Sequence, residues 1–352
     1  MNFTKIDGKI HVIIAGGAGF IGSHLSLRFL SAGARVTILT RRVDSPSAVR
    51  LIKYGASVIP CDFSIPDGLM AAKTLSSAQI FCHLAAEVSI SSPRLWAANV
   101  EGTRRALDLA STLNVPYFVY ASSIEAQGLG SKDEIPLSEE SPCCPVSDYG
   151  ISKANAEVMV ANWSQSPDRH SLILRIGNIY GPGSAWLLEP SLAALVGHSP
   201  LQQVWDQLQH RLFQPLYIDD LVEGMSRTIR ARLTGLYNIT GEEVISVGDY
   251  FQTLANLAGL SGQIAGIQAS CQKSRVPTEN IAPDLAYLLM GSSERCHRSY
   301  DNSKLKAQIG PYTSRSLAHG LAATLSWYHK SGSIAALCRS IQEKGTVTCM
   351  SR

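Results

Sequence analysis

Tyr149 and Lys153 stand four residues apart, a spacing that puts two side chains together on one face of a helix. A free phenol has a pKa near 10, but an ammonium beside it favours the phenolate, and such a tyrosine can exchange a proton with a carbinol or carbonyl oxygen. That is the proton half of a hydride transfer, whose other half a nicotinamide carries. Tyr-x-x-x-Lys occurs by chance in many chains, so its weight depends on what surrounds it. Upstream, the apolar run ending in Ala121-Ser122-Ser123-Ile124-Glu125 reads as a strand. Ligands in open α/β sheets bind outside the carboxyl ends of strands. A serine there can hydrogen-bond the reacting oxygen alongside Tyr149, although strand-terminal serines also bond their own backbone.

A site for the hydride carrier is present near the start. Gly16-Gly17-Ala18-Gly19-Phe20-Ile21-Gly22 follows the apolar run 10–14 and precedes a helical pattern with Leu25, Leu27, Phe29 and Leu30. Gly16, Gly19 and Gly22 would serve a tight turn, backbone approach to a pyrophosphate, and close contact of helix with sheet. At the end of the second apolar run, where NAD enzymes usually carry an acidic residue for the ribose 2′-hydroxyl, the chain reads Leu39-Thr40-Arg41-Arg42. Two guanidiniums there can pair with a 2′-phosphate, so NADP(H) is favoured over NAD(H); the alternative is that both are solvated loop residues. Asp62, after the third run, is placed either to accept from an adenine amino group or as an ordinary turn aspartate.

Composition narrows the classes of partner. The 31 basic residues among 352 are scattered and the net charge is only +3, so no electrostatic footprint for nucleic acid is seen. The eight cysteines show no Cys-x-x-Cys spacing, and adjacent Cys143-Cys144 are poorly placed to enter one ordinary site. No metal site is expected, Cys296-His297 having no second pair at finger-like spacing. No apolar run approaches a membrane span of ~20 residues and no signal peptide is evident, so a soluble, cytoplasmic protein without a membrane partner is expected.

Continuous apolar runs at 10–14, 35–39, 57–59, 80–83, 117–120 and 171–174, with helical segments between them, imply strands covered on both faces. The fold class is therefore α/β: a doubly wound parallel sheet, the Rossmann arrangement. The alternation is lost after about residue 180, where an irregular stretch is expected to run to Pro215, and the chain then returns through Tyr217 to Met225 and a strand near 235–240. A smaller, discontinuous C-terminal substrate domain follows from this. Residues 8–178 plus 215–242 would bind the dinucleotide, 179–214 plus 243–330 the substrate, and 331–352 would form a terminal helix and tail.

An ordered series of segments resembles the extended short-chain dehydrogenase/reductase superfamily, in its NAD(P)-dependent epimerase/dehydratase branch. The series comprises the glycine loop, His83-Leu84-Ala85-Ala86, Asn99-Val100-Glu101-Gly102-Thr103, Ser122-Ser123, Tyr149 with Lys153, 174–182, Tyr217-Ile218-Asp219-Asp220, and Asp301-Asn302-Ser303-Lys304. The resemblance implies that Tyr149 is the acid/base, that Lys153 binds the nicotinamide ribose and tunes Tyr149, and that Ser123, five before Gly128, orients the reacting oxygen. It adds Phe20, Ile21, Phe63, Leu84, Ala85, Ala86 and Asn99 as cofactor contacts and Asn178 as a residue near the substrate's phosphates or the nicotinamide. Glu125 occupies the place of a glutamate used as an extra acid/base in sugar-nucleotide dehydratases and decarboxylases, whereas Ile124 replaces an aspartate that many 4,6-dehydratases carry.

On the substrate side, Phe213 stands where nucleotide-sugar members place an arginine for the diphosphate, the nearest guanidinium being Arg211. Gln127 replaces the usual tyrosine before Gly128. The implied function is oxidation of a sugar nucleotide through a transient ketone with return of the hydride; the alternative is an NADPH-dependent reductase of a small-molecule carbonyl. The resemblance also implies a homodimer formed through two helices per subunit, one of them carrying Tyr149.

Overall fold

The structure is a computed structural model that describes residues 10–184, 187–196, 201–269 and 287–331. Its first half alternates strand and helix: β1 (His11–Ala15), α1 (Phe20–Ser31), β2 (Arg35–Thr40), α2 (Pro46–Lys53), β3 (Ser57–Pro60), β4 (Ile80–His83), α3 (Leu95–Thr112), β5 (Tyr117–Ser123), α4 (Asp148–Trp163) and β6 (His170–Ile176). A less regular part holds β7 (Asn178–Tyr180), α5 (Leu188–Leu195), α6 (Leu201–Leu208), β8 (Leu212–Phe213) and β9 (Pro215–Tyr217). The chain then runs through α7 (Ile218–Arg230), β10 (Gly235–Ile239), β11 (Ile245–Ser246), α8 (Val247–Leu257), α9 (Ser261–Ala269), α10 (Ser303–Ile309) and α11 (Leu317–Lys330).

Seven strands form one parallel sheet in the order β10-β6-β5-β4-β1-β2-β3. The chain builds outward from β1 to β3, then resumes on the other side of β1 with β4, which makes the β1/β4 boundary the topological switch point where such sheets bind ligands. The continuous apolar runs are explained by this arrangement: helices cover both faces, and Val12, Ile13 and Ile14 are each 0% exposed. Side chains on one face join a cluster with Leu25, Phe29 and Met225, and those on the other a cluster with Phe81, Ala106 and Val160.

The irregular stretch expected between residue 181 and Pro215 is corrected by α5 and α6. In α6 the residues Leu201, Val204, Trp205 and Leu208 recur at helical spacing, and Val204, Trp205 and Leu208 are buried, so tertiary packing sustains a helix of only eight residues. The expected terminal helix and tail fall, beyond Ser331, outside the described residues.

Candidate active site

The glycine loop follows β1 directly. Gly16, at φ +77°, donates its N–H to the Leu39 carbonyl at 2.8 Å. A Cβ there would lie 2.7 Å from the Ala85 nitrogen, and one on Gly22 would fall inside 3.0 Å of the Gly16 carbonyl oxygen, so both glycines are required by close backbone approach. Gly19 caps α1 without any side-chain hydrogen bond, and the first turn of α1 holds no acidic residue. Its N–H groups and positive dipole end are thus available to an anion. A cleft of about 200 Å³ opens beside this loop at the carboxyl ends of β1, β2 and β4. Gly16, Gly19, Arg41, Arg42, Asp62, Phe63, Leu84, Ala85 and Ala86 all line it, a set that fits the adenosine and phosphate portion of a dinucleotide.

Not every anticipated contact is free to meet a ligand in the same way. Asp62 accepts from Arg94 Nη2 at 2.8 Å through one carboxylate oxygen and from the Ser64 N–H and hydroxyl through the other. These bonds hold its carboxyl below the usual range although burial opposes them. Asn99 uses its amide on the backbone of Glu87, at 2.8 and 2.9 Å, and donates to Ser152 at 3.0 Å. It pins the segment after β4 to α4.

Tyr149 and Lys153 are presented by the first turns of α4, whose start is capped by Ser147 accepting from the Gly150 N–H at 3.0 Å. Gly150 lets α4 seat against the turn after β5: a Cβ there would overlap the Glu125 carbonyl oxygen. This seating brings the Tyr149 hydroxyl into hydrogen bonding with Ser123, while Ser123 Oγ also accepts from the Glu125 N–H at 3.2 Å. Lys153 is 3% exposed; its Nζ donates to the Ala121 carbonyl at 2.8 Å and lies 4.9 Å from the Tyr120 ring and 5.8 Å from that of Tyr149.

Burial sets the electrostatics. It lowers Lys153 from 10.5 to about 7, against the attraction of Glu157. It raises Tyr149, an effect that the Ser123 hydroxyl opposes and the Glu125 charge reinforces. His83, at the end of β4, is pushed to about 3 by burial and by Lys153 and is neutral. Close by, Glu157 forms a buried ion pair with Arg175 at 2.8 Å and accepts from Ser122 at 2.5 Å, linking α4, β5 and β6 beneath the site. Two neighbouring titratable groups of opposite type, Tyr149 and Lys153, both with displaced pKa values, make this a candidate functional site.

Glu125 sits in the 3₁₀ turn Ile124–Ala126 and is 2% exposed. Its Oε1 accepts from Arg298 Nε at 3.2 Å and from the Tyr287 hydroxyl at 2.7 Å. Asn178 Nδ2 donates to that same hydroxyl at 3.3 Å. Arg211 points its guanidinium at the carbonyls of Gln207, Leu288 and Met290, which commits it to backbone in this structure, and Phe213 is buried at 1%. Gln127 likewise spends its amide on the carbonyls of Ser138 and Ser141. Sequence reasoning passed over Tyr287, Arg298 and Arg94. A signal existed for Arg298, an arginine three residues before the family-like Asp301-Asn302-Ser303-Lys304; Tyr287 carries no local signal.

A doubly wound sheet with a glycine loop at β1 and a Ser/Tyr/Lys group at the end of β5 defines a nicotinamide-dependent enzyme of the extended short-chain dehydrogenase/reductase type. Residues 12–240 match the NAD dependent epimerase/dehydratase family, and the chain belongs to that family. Among its relatives, dTDP-glucose 4,6-dehydratase of Streptomyces griseus is 25% identical over 348 residues, covering 91% of this chain and 94% of that one. UDP-N-acetyl-alpha-D-glucosaminuronate decarboxylase of Bacillus cytotoxicus is 26% identical over 340 residues, covering 92% and 98%. The crystal structure of dTDP-glucose 4,6-dehydratase from Bacillus anthracis in complex with NAD matches the fold with a TM-score of 0.72 at 19% identity, over 93% of this chain and 99% of that one.

Proposed function

We propose that this enzyme oxidises a carbinol of a sugar nucleotide to a transient ketone, rearranges that ketone, and returns the hydride, with Tyr149, Lys153 and Ser123 as the proton-transfer group. The observation that carries the reading is the convergence of these three side chains and Glu125 where β5 meets α4. Full-length relatives that act on nucleotide sugars support the substrate class.

Gly16, Gly19 and Gly22 would hold the dinucleotide pyrophosphate, Asp62 the adenine, and Lys153 the nicotinamide ribose. When bound, the nicotinamide supplies the hydride acceptor and donor. The chain's own part is proton management. Tyr149, which burial keeps protonated in the free protein, would give up that proton to solvent where the Lys153 ammonium and an oxidised nicotinamide bring positive charge beside it. As the phenolate it accepts the proton of the reacting hydroxyl as the carbon is oxidised and gives it back on reduction, while Ser123 hydrogen-bonds the same oxygen and keeps it in reach. Lys153, near its own titration point at neutrality, shifts its charge with small changes in its surroundings and so tunes Tyr149. Glu125 is a carboxylate within the electrostatic reach of Tyr149 and is suited to take a carbon-bound proton next to the ketone.

We further infer NADP(H) over NAD(H), because Arg41 and Arg42 are exposed on the cleft wall; the Bacillus anthracis neighbour was solved with NAD. The same division of labour assigns 8–178 plus 215–242 to the dinucleotide and 179–214 plus 243–330 to the substrate. A homodimer through α3 and α4 is supported by the exposed apolar side chains of Trp96, Ile151 and Val158. Free Cys61, Cys82, Cys143, Cys144 and Cys296 suit a reducing cytoplasm.

The test is incubation of the purified enzyme with UDP-, GDP- and dTDP-sugars, with NADP⁺, NAD⁺ and NADPH supplied separately, followed by mass spectrometry and absorbance at the reduced-nicotinamide band. A sugar nucleotide converted without net change in that band is the expected result, and Tyr149→Phe should abolish it while leaving cofactor affinity intact. Inert sugar nucleotides together with NADPH oxidation by simple ketones would instead establish the reductase.

A further inference from the structure

Glu125 is gripped by groups that the chain brings from more than 150 residues away. Tyr287 and Arg298, separated from it by 162 and 173 residues, both donate to Oε1, at 2.7 and 3.2 Å. The two donors are themselves locked together: the Arg298 guanidinium lies 4.1 Å over the Tyr287 ring, and its Nη2 donates to the Tyr287 carbonyl at 2.7 Å. The segment that follows is anchored by Arg211 Nη1, which donates to the carbonyls of Leu288 and Met290 at 3.1 and 2.6 Å. The Tyr287 hydroxyl spends its proton on Glu125 and accepts from Asn178 Nδ2 at 3.3 Å. Burial and the Glu125 charge raise the pKa of that phenol, so it remains a donor at any working pH.

Glu125 Oε2 and Asn178 Oδ1 are buried and have no hydrogen-bond partner among the described residues. A buried carboxylate oxygen left in that state is costly unless a reacting group completes it. The asymmetry within one carboxylate is the telling feature, with both donors on Oε1 and none on Oε2.

We propose that Tyr287 is a positioning residue for the reaction: by occupying Oε1 together with Arg298, it orients Glu125 so that Oε2 is the oxygen that takes a carbon-bound proton from the keto intermediate. In that step the C–H bond breaks and its electron pair enters the carbon–carbon bond of an enolate. The proton goes to Oε2, and the enolate oxygen keeps its hydrogen bonds to Tyr149 and Ser123. The inference rests on the reading under Proposed function, and it assigns the substrate class one further property, an acidic C–H adjacent to the carbon that is oxidised.

The experiment follows UDP-, GDP- and dTDP-glucose with the full-length, cofactor-loaded enzyme in D₂O, recording transient absorbance of the reduced nicotinamide and deuterium incorporation by mass spectrometry. In the wild type one of these sugars should reduce the cofactor transiently and take up deuterium. Tyr287→Phe should reduce the cofactor at an unaltered rate but incorporate deuterium about tenfold more slowly, the loss due to one hydrogen bond to a charged group. Glu125→Gln should slow incorporation about 100-fold or more, and the double variant should be no slower than Glu125→Gln. Wild-type incorporation by Tyr287→Phe, loss of its initial cofactor reduction, or wild-type turnover without deuterium uptake would overturn the proposal while leaving the keto mechanism standing. A wild type inert toward all three sugars would overturn that reading and the proposal with it.

Discussion

Lys153 makes a measurable claim about stability. Its Nζ is enclosed by the Ala121 carbonyl at 2.8 Å and the rings of Tyr120 and Tyr149, and burial outweighs Glu157 to bring its pKa from 10.5 to about 7. The unfolded chain therefore binds more protons than the folded one between pH 7 and 10.5, and stability rises with pH across that window; below pH 7 both states are protonated and the cost is complete. Integrated from pH 7 to pH 9, this single group adds about 2 kcal/mol of stability, with a slope approaching about 1.4 kcal/mol per pH unit. Tyr120 and Tyr149, raised by burial, stay protonated over this range, and His83 stays neutral. Lys153→Met removes the titrating group and keeps most of the apolar stem. Urea unfolding of the cofactor-free proteins at pH 7 and pH 9, followed by tryptophan fluorescence, should show the wild type gaining about 2 kcal/mol more than the variant. Parallel pH dependence in the two proteins would refute the burial argument, and with it the claim that Lys153 sits near its titration point in the folded enzyme.

Other perturbations probe the scaffold. Gly150→Ala improves helix propensity, but its Cβ would overlap the Glu125 carbonyl. The variant should lose about 1–3 kcal/mol in urea unfolding and about tenfold or more in kcat; a more stable, fully active variant would show that α4 and the Glu125 turn are not in contact as described. Glu157→Gln leaves the Arg175 guanidinium buried without its counter-ion. It should cost about 3–5 kcal/mol, read in the same unfolding assay, and a loss below about 1 kcal/mol would indicate that Arg175 finds another partner.

Much of the architecture was legible in the residues because it depends on short-range rules. Six apolar runs of the right length coincide with β1 to β6, and the glycine spacing after β1 places the loop that Gly16 and Gly22 form by close backbone approach. The four-residue interval from Tyr149 to Lys153 is a property of any helix. The second half was less readable. The helix α6 is eight residues long and owes its existence to packing rather than propensity, so a pattern confined to Leu201, Val204, Trp205 and Leu208 was read as irregular chain.

By itself the sequence determined the parallel sheet, the loop at its switch point and the facing of a phenol and an ammonium, since each follows from local geometry and from the burial of continuous apolar strands. Only the tertiary structure decided the company those groups keep: that Asp62 is held by Arg94, that Arg211 serves backbone carbonyls, that Lys153 is enclosed enough to titrate near 7, and that Glu125 receives Tyr287 and Arg298 on one oxygen. The physical reason is that partner choice and desolvation are consequences of chain closure, across 32 residues for Asp62 and Arg94 and up to 173 for Glu125 and Arg298, and no local pattern of residue types carries that information.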